Sequence, residues 1–425
     1  MAAFTSQTSR QTGSVTSPQL AAAVNRYAAA LHTTAGSDHH VASPLGAWML
    51  AALFGPLVAT DPSRRRDLGD RLGVDPPEAA SLAGALLRNP HPMVSVGAGL
   101  WIRSRYDNQR TSRWRQALPE GVASGDVPSQ EKLDEWAADK TSGLIDRFPL
   151  RVTPEVAGVV AGVLATKVSW EVPFSVVTGD RLGTGEWAAK LSRVLETPAD
   201  PRHRQFITET ATTGPLAVHL SPAQGGLLVG SVIAADPSVP ASQVLAQAEH
   251  IVTSEAQEPG LVARRSLFDL PLGESPGWTI AEEPGPGRSP VEPVERFTSY
   301  VPAWSAETKM DLAAGDLGFG AVAEAIAADL ALPEWRNEAT QTARARYGAV
   351  GFEAAAVSGL AVTTIAHVRP IATPRRALIR FNHPYAVVAV ACDDPRQPSP
   401  PHWLGVPVFS AWVAEPDDAV ESPRP

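Results

Sequence analysis

The chain has 425 residues, of which 44% are hydrophobic, so it can bury one large core or two to three ordinary ones. Its formal net charge of -9 argues against a surface for nucleic acid or anionic membrane, because such surfaces need clustered lysines and arginines. The sequence therefore predicts a globular protein with no nucleic-acid partner and no membrane partner.

The compartment is predicted from the cysteine content and the N-terminal composition. The single cysteine, Cys392, lies in the apolar run "YAVVAVACDD", which excludes a disulfide framework and predicts a buried, inert thiol. The first twenty residues contain no apolar core of signal-peptide length, and no window of about eighteen apolar residues occurs elsewhere. We therefore expect a cytoplasmic, soluble protein.

Both ends of the chain have the composition of disordered tails. Residues 1–17 are polar and rich in serine and threonine, and residues 417–425 are acidic and contain proline. We expect one folded domain over residues 18–416.

The first half of this domain is predicted to be rich in helices. A serine followed by proline opens two helical segments, at Ser17 and at Ser43. The second segment is apolar nearly all round, which predicts a helix buried at the centre of the fold. Residues 93–102 have strand composition, residues 129–148 begin as a helix, and residues 156–170 are ambiguous between helix and strand.

The second half is predicted to be rich in strands. Strand-like runs dominate residues 204–312, including "GLVARRSLFDL" at 260–270. Residues 319–332 return to a helical pattern, and the last hundred residues are mainly strand. With no internal repeat, this order predicts a single large α+β domain.

The motifs of common enzymes are absent from the sequence. It contains no "GxSxG", "HExxH", "CxxC" or "GxxxxGK[ST]" pattern. His39 and His40 follow Asp38, but adjacent residues on a polar loop point in different directions, so we interpret them as a solvated loop. We expect a protein that is not an enzyme and that holds no cofactor and no metal.

The stretch "VGFEAAAVSGLAVTTIAHVRP" at 350–370 fits neither a buried strand nor a surface loop. A buried strand would carry larger side chains, and a surface loop would carry more Asn, Asp, Ser and Gly. The segment is apolar, nearly uncharged and built of small residues.

Seven segments, taken in chain order over residues 43–416, resemble motifs of the serpin family. "VASPLGAWMLAAL" is similar to the family's "NxxxSPLSI" helix start, "LDEWAADKTSGLI" to "INxWVxxxTxGxI", and "TKVSWEVPF" to "FKGxWxxPF". "VPAWSAETKMDL" resembles the "LPKFxIxxxxDL" strand and "GFEAAAVSG" the "GTEAAAxT" hinge. "FNHPYAVVAV" and "PVFSAWVAEP" resemble the closing strands.

The resemblance implies a fold of three β-sheets and eight or nine helices, with an exposed reactive loop at about 351–376. It also implies a monomeric inhibitor of a serine or cysteine protease, whose cleaved loop inserts into the main sheet. The scissile bond would be Ile365–Ala366 counted from the hinge glycine, or Thr373–Pro374 counted back from "FNHPY". The implied hinge comprises Gly351, Phe352, Glu353, Ala354, Ala355 and Ala356, and the implied sheet-opening region includes Trp170, Lys167 and Ser43.

The chain departs from the family pattern at several of these positions. Phe352 stands where inhibitory members have Thr or Ser, and Ala349 stands where the family has an acidic residue. The family's polar sheet-opening cluster would align with Ser43, Gly46, Gly162 and Gln341, so much of its hydrogen-bond network is expected to be missing. Two functions therefore stay open: a suicide inhibitor, or a non-inhibitory binding or scaffold protein whose loop is a tether or recognition segment.

Overall fold

The structure, a computed structural model, describes residues 16–58, 61–166, 169–283, 294–351, 373–394, 396 and 398–420. Over these residues, none of the helices combines the length and the apolar character needed to cross a membrane. The described part contains ten α-helices: α1 (Ser17–Ala35), α2 (Pro44–Ala52), α3 (Gly55–Val58), α4 (Pro62–Leu72), α5 (Pro76–Arg88), α6 (Gln109–Ala117), α7 (Gln130–Lys140), α8 (Glu186–Lys190), α9 (Ala241–Gln257) and α10 (Phe319–Asp329).

The two helices predicted from Ser-Pro starts are both present. In α1, the Gln19 side chain accepts a 2.8 Å hydrogen bond from the Thr16 backbone N–H, which satisfies one of the groups left free at a helix start. In α2, eight of the nine residues are buried, so the prediction of a central helix is confirmed. The N-cap of α2 is Ser43, whose hydroxyl accepts a 3.2 Å hydrogen bond from the Gly46 N–H.

Seventeen strands are described: β1 (His40–Ala42), β2 (Val94–Ile102), β3 (Val122–Gly125), β4 (Gly158–Thr166), β5 (Ser175–Thr178), β6 (Arg193–Glu196), β7 (Arg204–Thr210), β8 (Gly214–Ala223), β9 (Leu227–Ala234), β10 (Gly273–Ser275), β11 (Trp278–Glu282), β12 (Glu295–Val301), β13 (Trp304–Asp311), β14 (Thr340–Tyr347), β15 (Arg375–Arg380), β16 (Tyr385–Ala391) and β17 (Pro407–Val413). The ambiguous segment 156–170 is thus a strand, β4, because it is antiparallel to β2 along all nine of its residues.

These strands form four hydrogen-bonded groups where the resemblance implied three sheets. The back sheet has the order β1-β17-β16-β9-β8-β7, and the side sheet has the order β10-β11-β15-β12-β6-β5. The other two groups have three strands, β3-β2-β4, and two strands, β13-β14. We call these two groups the halves of the main sheet. The number differs because no ladder joins β4 to β14 within the described residues.

The back sheet lies at the centre of the molecule and has a core on each face. Side chains alternate between the faces of a strand, so in β8 Ala217 packs toward the main core while Leu216 and Val218 pack against α9. A third core lies beneath α7, where Leu133 and Ala137 pack against Val159, Ala161 and Val163 of β4.

Two sequence predictions in the second half are wrong in detail. Residues 260–270 form no strand, because they contribute only a single bridge, from Arg265 to Ile207, and a short 3-10 turn at Leu267–Asp269. Helix α9 was not predicted, although Val244, Leu245, Ala248, Ile251 and Val252 have helical spacing and are buried. The surrounding strand-rich composition masked this pattern.

The folded body extends beyond both predicted boundaries. Ser17 already lies in α1. At the other end, the Asp417 N–H donates a 2.7 Å hydrogen bond to the Ala303 carbonyl, and the Ala419 side chain is buried. The carboxylate of Asp418 accepts hydrogen bonds from the N–H groups of Ser192 and Arg193.

Candidate functional site

The segments that follow β4 and β14 meet at one end of the two strands, in a region that we call the upper closure. Beyond β4, Ser169 forms a bridge with Gly351, which follows β14. The Trp170 N–H donates to the Val350 carbonyl at 3.2 Å, and the Phe174 N–H donates to the Ala349 carbonyl at 2.9 Å. The upper closure therefore consists of contacts between residues 169–174 and 347–351.

Trp170 occupies the centre of the upper closure. Its indole Nε1 donates a 2.8 Å hydrogen bond to the Gly348 carbonyl, and the side chain is buried. Its ring centroid lies 4.9 Å from that of Tyr347 and 5.5 Å from that of Phe174. The structure thus places Trp170 where the two halves of the main sheet join, while Lys167 lies outside the described residues.

At the opposite end, the four residues aligned with the family's polar cluster come together around the start of α2. The Gln341 side chain makes two 2.9 Å hydrogen bonds with the backbone of Ser43, accepting from its N–H and donating to its carbonyl. The Ser43 hydroxyl also donates to the Val408 carbonyl at 2.9 Å. We expected much of this hydrogen-bond network to be missing, because the chain departs from the family pattern here. Gln341 supplies part of it.

Glycines allow β4 to lie close over α2 at this point. A Cβ atom on Gly162 would lie 3.5 Å from Leu50 and 3.8 Å from the Gly46 carbonyl oxygen, and a Cβ on Gly46 would lie 3.0 Å from the Ser43 hydroxyl. A side chain larger than that of alanine at Gly162 would press β4 away from α2.

Between these two ends, no described residue joins β4 to β14 in a ladder, and we call the interval between the two strands the gap. Within the described residues, β4 pairs only with β2 and β14 pairs only with β13. A cavity of about 50 Å³ lies in the gap, bounded by Thr166 and Trp170 on one side and by Ala345 and Tyr347 on the other. Its floor is formed by back-sheet side chains, among them Val387, Ala389 and Ala411.

The implied hinge begins where β14 ends. Gly351 has φ = 117°, a conformation that strongly favours glycine, and is buried against Ser169. The rest of the implied hinge and the implied scissile bond lie outside the described residues: Phe352, Glu353, Ala354, Ala355, Ala356, Ile365 and Ala366.

The alternative scissile bond, Thr373–Pro374, lies directly before β15. Pro374 is buried, and its carbonyl accepts a 2.9 Å hydrogen bond from the Glu283 N–H. Arg375 and Arg376, included in the implied loop, are already part of β15, which pairs with β12 and with β11. The loop is therefore shorter at this end than the resemblance implied.

The hairpin β10–β11 beside β15 was not predicted from the sequence. It gives β15 a second neighbour, with Trp278 opposite Ile379 and Glu282 opposite Arg375. The run "GESPGWTIAE" contains Gly277 at a positive φ between two short extended segments, a pattern typical of a hairpin. That signal was available but is weak in so short a segment.

Two sequence interpretations of titratable groups need correction. His40 is not part of a solvated loop but is buried in β1, where its Nε2 lies 2.8 Å from Nδ1 of His32. Cys392 is only partly buried, although burial raises the pKa of its thiol to about 12 and keeps it protonated. The described residues contain no group of three His, Cys, Asp or Glu side chains that could hold a metal ion.

Comparisons with known proteins identify the architecture. No family model matches the sequence, and no curated protein sequence matches it. Among solved structures, the chain is similar to human glycosylated kallistatin, at 14% identity and TM-score 0.60, with 94% of this chain and 98% of that chain covered. It is also similar to Serpin48, described as a highly specific serpin in the insect Tenebrio molitor, at 12% identity and TM-score 0.58, covering 94% and 99%.

A third similar structure is human thyroxine-binding globulin complexed with thyroxine, at 14% identity and TM-score 0.56, covering 95% of this chain and 100% of that one. The chain therefore has the serpin fold, which confirms the predicted fold class. The two halves of the main sheet, the upper closure and the segment that follows Gly351 define its candidate functional site.

Proposed function

We propose that this protein inhibits a serine or cysteine protease by offering the segment 352–372 for cleavage and then inserting the cleaved segment between β4 and β14. The single observation that carries the proposal is that no ladder joins β4 to β14 within the described residues, although the segments after both strands meet at Gly351, directly before residues 352–372. The loop composition and the geometry of the gap support it.

Inserting a strand between these edges would satisfy backbone groups of β4 and β14 that have no strand partner among the described residues. Edges of buried sheets expose rows of N–H and C=O groups that are ready to pair with another extended segment. The cavity between the edges, of about 50 Å³, is too small for a strand, so β4 and β14 would have to move apart, and small side chains would require the least movement. The alanines of "FEAAAVSGLAV" meet this requirement.

Phe352 is the residue that fits the family pattern least well. Phe352 would be the first residue of the inserted strand to face inward, next to the upper closure. Trp170, Phe174 and Tyr347 already form an aromatic group there. An aromatic side chain there can gain about 1.5–3 kcal/mol from burial if the group opens to receive it. We propose that Phe352 is accommodated by this aromatic group.

The chemistry requires an ordinary acyl transfer. The protease nucleophile attacks the carbonyl carbon of Ile365, the bond to the Ala366 nitrogen breaks, and that nitrogen leaves as a protonated amino terminus. Residues 352–365 remain joined to the protease as an ester or thioester. As an extended strand they span about 46 Å, more than the roughly 30 Å length of β4, so insertion would carry the bound protease along the sheet before water hydrolyses the bond.

Of the two candidate scissile bonds, the contacts around β15 favour Ile365–Ala366. Pro374 is held by its hydrogen bond to Glu283 and lies directly before a strand with neighbours on both sides. A protease would have to break these contacts to bind Thr373–Pro374 in an extended conformation. Ile365 would place an apolar side chain before the cleaved bond.

The test is a gel-shift assay with subtilisin-like, elastase-like, trypsin-like and papain-like proteases at equal concentrations of protein and protease. We expect the wild type to form a complex that survives denaturant with at least one of them. Ala354→Arg places an unpaired charge under the sheet, which is unfavourable by several kcal/mol, so this variant should be cleaved without forming the complex. Ala355→Arg, whose side chain faces the other way on a strand, is the matched control and should still form it.

The second candidate function is a non-inhibitory binding protein. Phe352 and Ala349 depart from the pattern of inhibitory members, and one similar structure is a thyroxine-binding globulin with its hormone bound. On this alternative, every protease of the panel would treat the wild type and both arginine variants as plain substrates. That outcome would refute the inhibitor proposal.

A further inference from the structure

A buried pair of histidines lies directly behind the upper closure. Nδ1 of His203, just before β7, lies 3.1 Å from Nε2 of His219 in β8, and the two rings are nearly parallel at 13°. Both side chains are buried, and the Phe174 ring meets them edge-on, with its centroid 5.2 Å from His203 and 5.6 Å from His219. The pair therefore contacts the same aromatic ring that packs against Trp170.

The hydrogen bonds of the neutral pair have a fixed direction. His203 Nε2 lies 2.9 Å from the Val172 carbonyl, which can only accept, so the proton of a neutral His203 is on Nε2. Its Nδ1 then accepts a hydrogen bond from Nε2 of His219. This leaves Nδ1 of His219 as a buried acceptor with no hydrogen-bond partner among the described residues.

Hydroxyl groups surround the pair. The Ser221 hydroxyl lies 3.2 Å from His219 Nε2 and 3.5 Å from His203 Nδ1. The Tyr347 hydroxyl lies near Ser221 and Ser231, but neither it nor the Ser231 hydroxyl makes a hydrogen bond of normal geometry with a described residue. Burial also raises the pKa of Tyr347, so this group supplies no negative charge.

No unpaired carboxylate among the described residues is placed to balance a positive charge on the pair. Asp200 favours the charged form of His203 and Arg202 opposes it. These two groups are joined to each other by two 2.9 Å hydrogen bonds, and Arg202 also lies 3.4 Å from Glu171. Burial is the largest cause that lowers the pKa of His203, and burial followed by repulsion from His203 lowers that of His219.

The pair is linked to the joint between the sheet halves by one short chain segment. His203 holds the Val172 carbonyl, while the neighbouring residues Trp170 and Phe174 hold the carbonyls of Val350 and Ala349. A movement of the segment 169–174 therefore displaces Trp170 and Phe174, whose N–H groups bind the residues that follow β14. A shift of this segment would expose the imidazole pair to water, which stabilises a positive charge on it.

We propose that His203 and His219 form a proton-sensitive latch: taking up a proton loosens the upper closure, so that β4 and β14 separate more readily in acid. The consequence for inhibition rests on the proposed function, whereas the latch itself is a property of the intact protein. The closed form binds fewer protons than the hydrated open form, so its stability falls as the pH drops below the ordinary histidine pKa near 6.5.

The test is hydrogen–deuterium exchange of the intact protein at pH 7.5 and pH 5.5, corrected for the intrinsic pH dependence of exchange and read in peptides covering 169–174 and 345–351. Opening should increase in acid by up to about tenfold per pH unit for one linked proton. His203→Gln and His219→Gln should each remove most of this dependence. His250→Gln, an exposed position on α9, is the matched control and should retain it.

Because the readout needs no protease, a failure of the latch and a failure of the inhibitor proposal are distinguishable. Acid-dependent opening without any covalent complex supports the latch and refutes the inhibitor proposal. Equal corrected exchange at both pH values in the wild type overturns the latch, as does an acid response that survives both glutamine variants. If the variants do not fold, NMR titration of the wild-type imidazoles replaces them, and a normal pKa near 6.5 for both rings overturns the latch.

Discussion

The indole Nε1 of Trp170 donates a 2.8 Å hydrogen bond to the backbone carbonyl of Gly348, three residues before the hinge glycine. This bond crosses between the two halves of the main sheet, from the segment after β4 to the segment after β14. The upper closure therefore depends on a single buried side chain, and substitution of that side chain tests its contribution to stability.

Trp170→Ala should lower the free energy of unfolding by ~3–5 kcal/mol, because it removes a large buried side chain and leaves a cavity. Trp170→Phe keeps an aromatic ring but loses the hydrogen bond to Gly348, so its cost should be smaller, about 1–3 kcal/mol. Denaturant titration measures both. An alanine variant as stable as the wild type would show that Trp170 is not part of the joint.

Gln341→Ala tests the lower end of the gap. The substitution removes both hydrogen bonds to the Ser43 backbone and leaves those partly buried groups without a partner, which should cost about 1–3 kcal/mol. Thr342→Ala, on the opposite face of the same strand, is the control and should change stability by less than about 0.5 kcal/mol. Equal costs in the two variants would contradict the assigned role of Gln341.

The carboxylates of Glu255 and Glu282 should differ sharply in their contributions. Glu255 is fully buried and accepts hydrogen bonds from the N–H groups of Gly260 and Val262 while pairing with Arg204 and Arg264. Glu255→Gln should therefore cost about 3–5 kcal/mol, since it leaves buried partners uncompensated. Glu282 is half-exposed and lies 3.8 Å from Arg375, so Glu282→Gln should lower the free energy of unfolding by less than about 1 kcal/mol. Chemical denaturation at neutral pH compares them directly.

His40 should make the folded protein less stable in acid. Burial, followed by repulsion from His32, lowers the pKa of His40 to about 4, against about 6.5 in an unfolded chain. The folded state therefore binds fewer protons, and stability falls as the pH drops from about 6.5 to about 4, by at most roughly 3 kcal/mol from this group. Unfolding of His40→Gln should show a shallower pH dependence over that window than His250→Gln. Parallel pH profiles for the two variants would contradict this assignment.

The features of the fold that depend on local pattern were predictable from the sequence. The buried helix α2 followed from its apolar composition and its Ser-Pro start, and β2 from its strand composition. The resemblance of seven ordered segments predicted the fold class, which the similar structures confirm. These signals are local in sequence, or are fixed by order along the chain.

The features that depend on distant contacts were not predictable. His203 and His219 are separated by fifteen residues, and only the pairing of β7 with β8 brings their rings together behind Phe174. The burial of His40 likewise depends on β17, which begins at Pro407 and lies beside β1 in the back sheet. Isolated histidines in a sequence give no indication of such partners. Helix α9 was missed for another reason, since strand-rich flanks outweighed its own helical spacing.

The measurement that tests the central claim most directly is the melting temperature of the protein before and after a single cut within residues 352–372. A subtilisin-like or elastase-like protease makes the cut, mass spectrometry locates it, and both fragments are kept together for the thermal scan. If the cleaved segment inserts between β4 and β14, the melting temperature should rise by tens of degrees, well beyond the ~2–4 °C that accompanies 1 kcal/mol in a domain of this size. If the cleaved protein melts at the temperature of the intact protein, the segment does not insert, and the inhibitor proposal is refuted while the serpin fold remains.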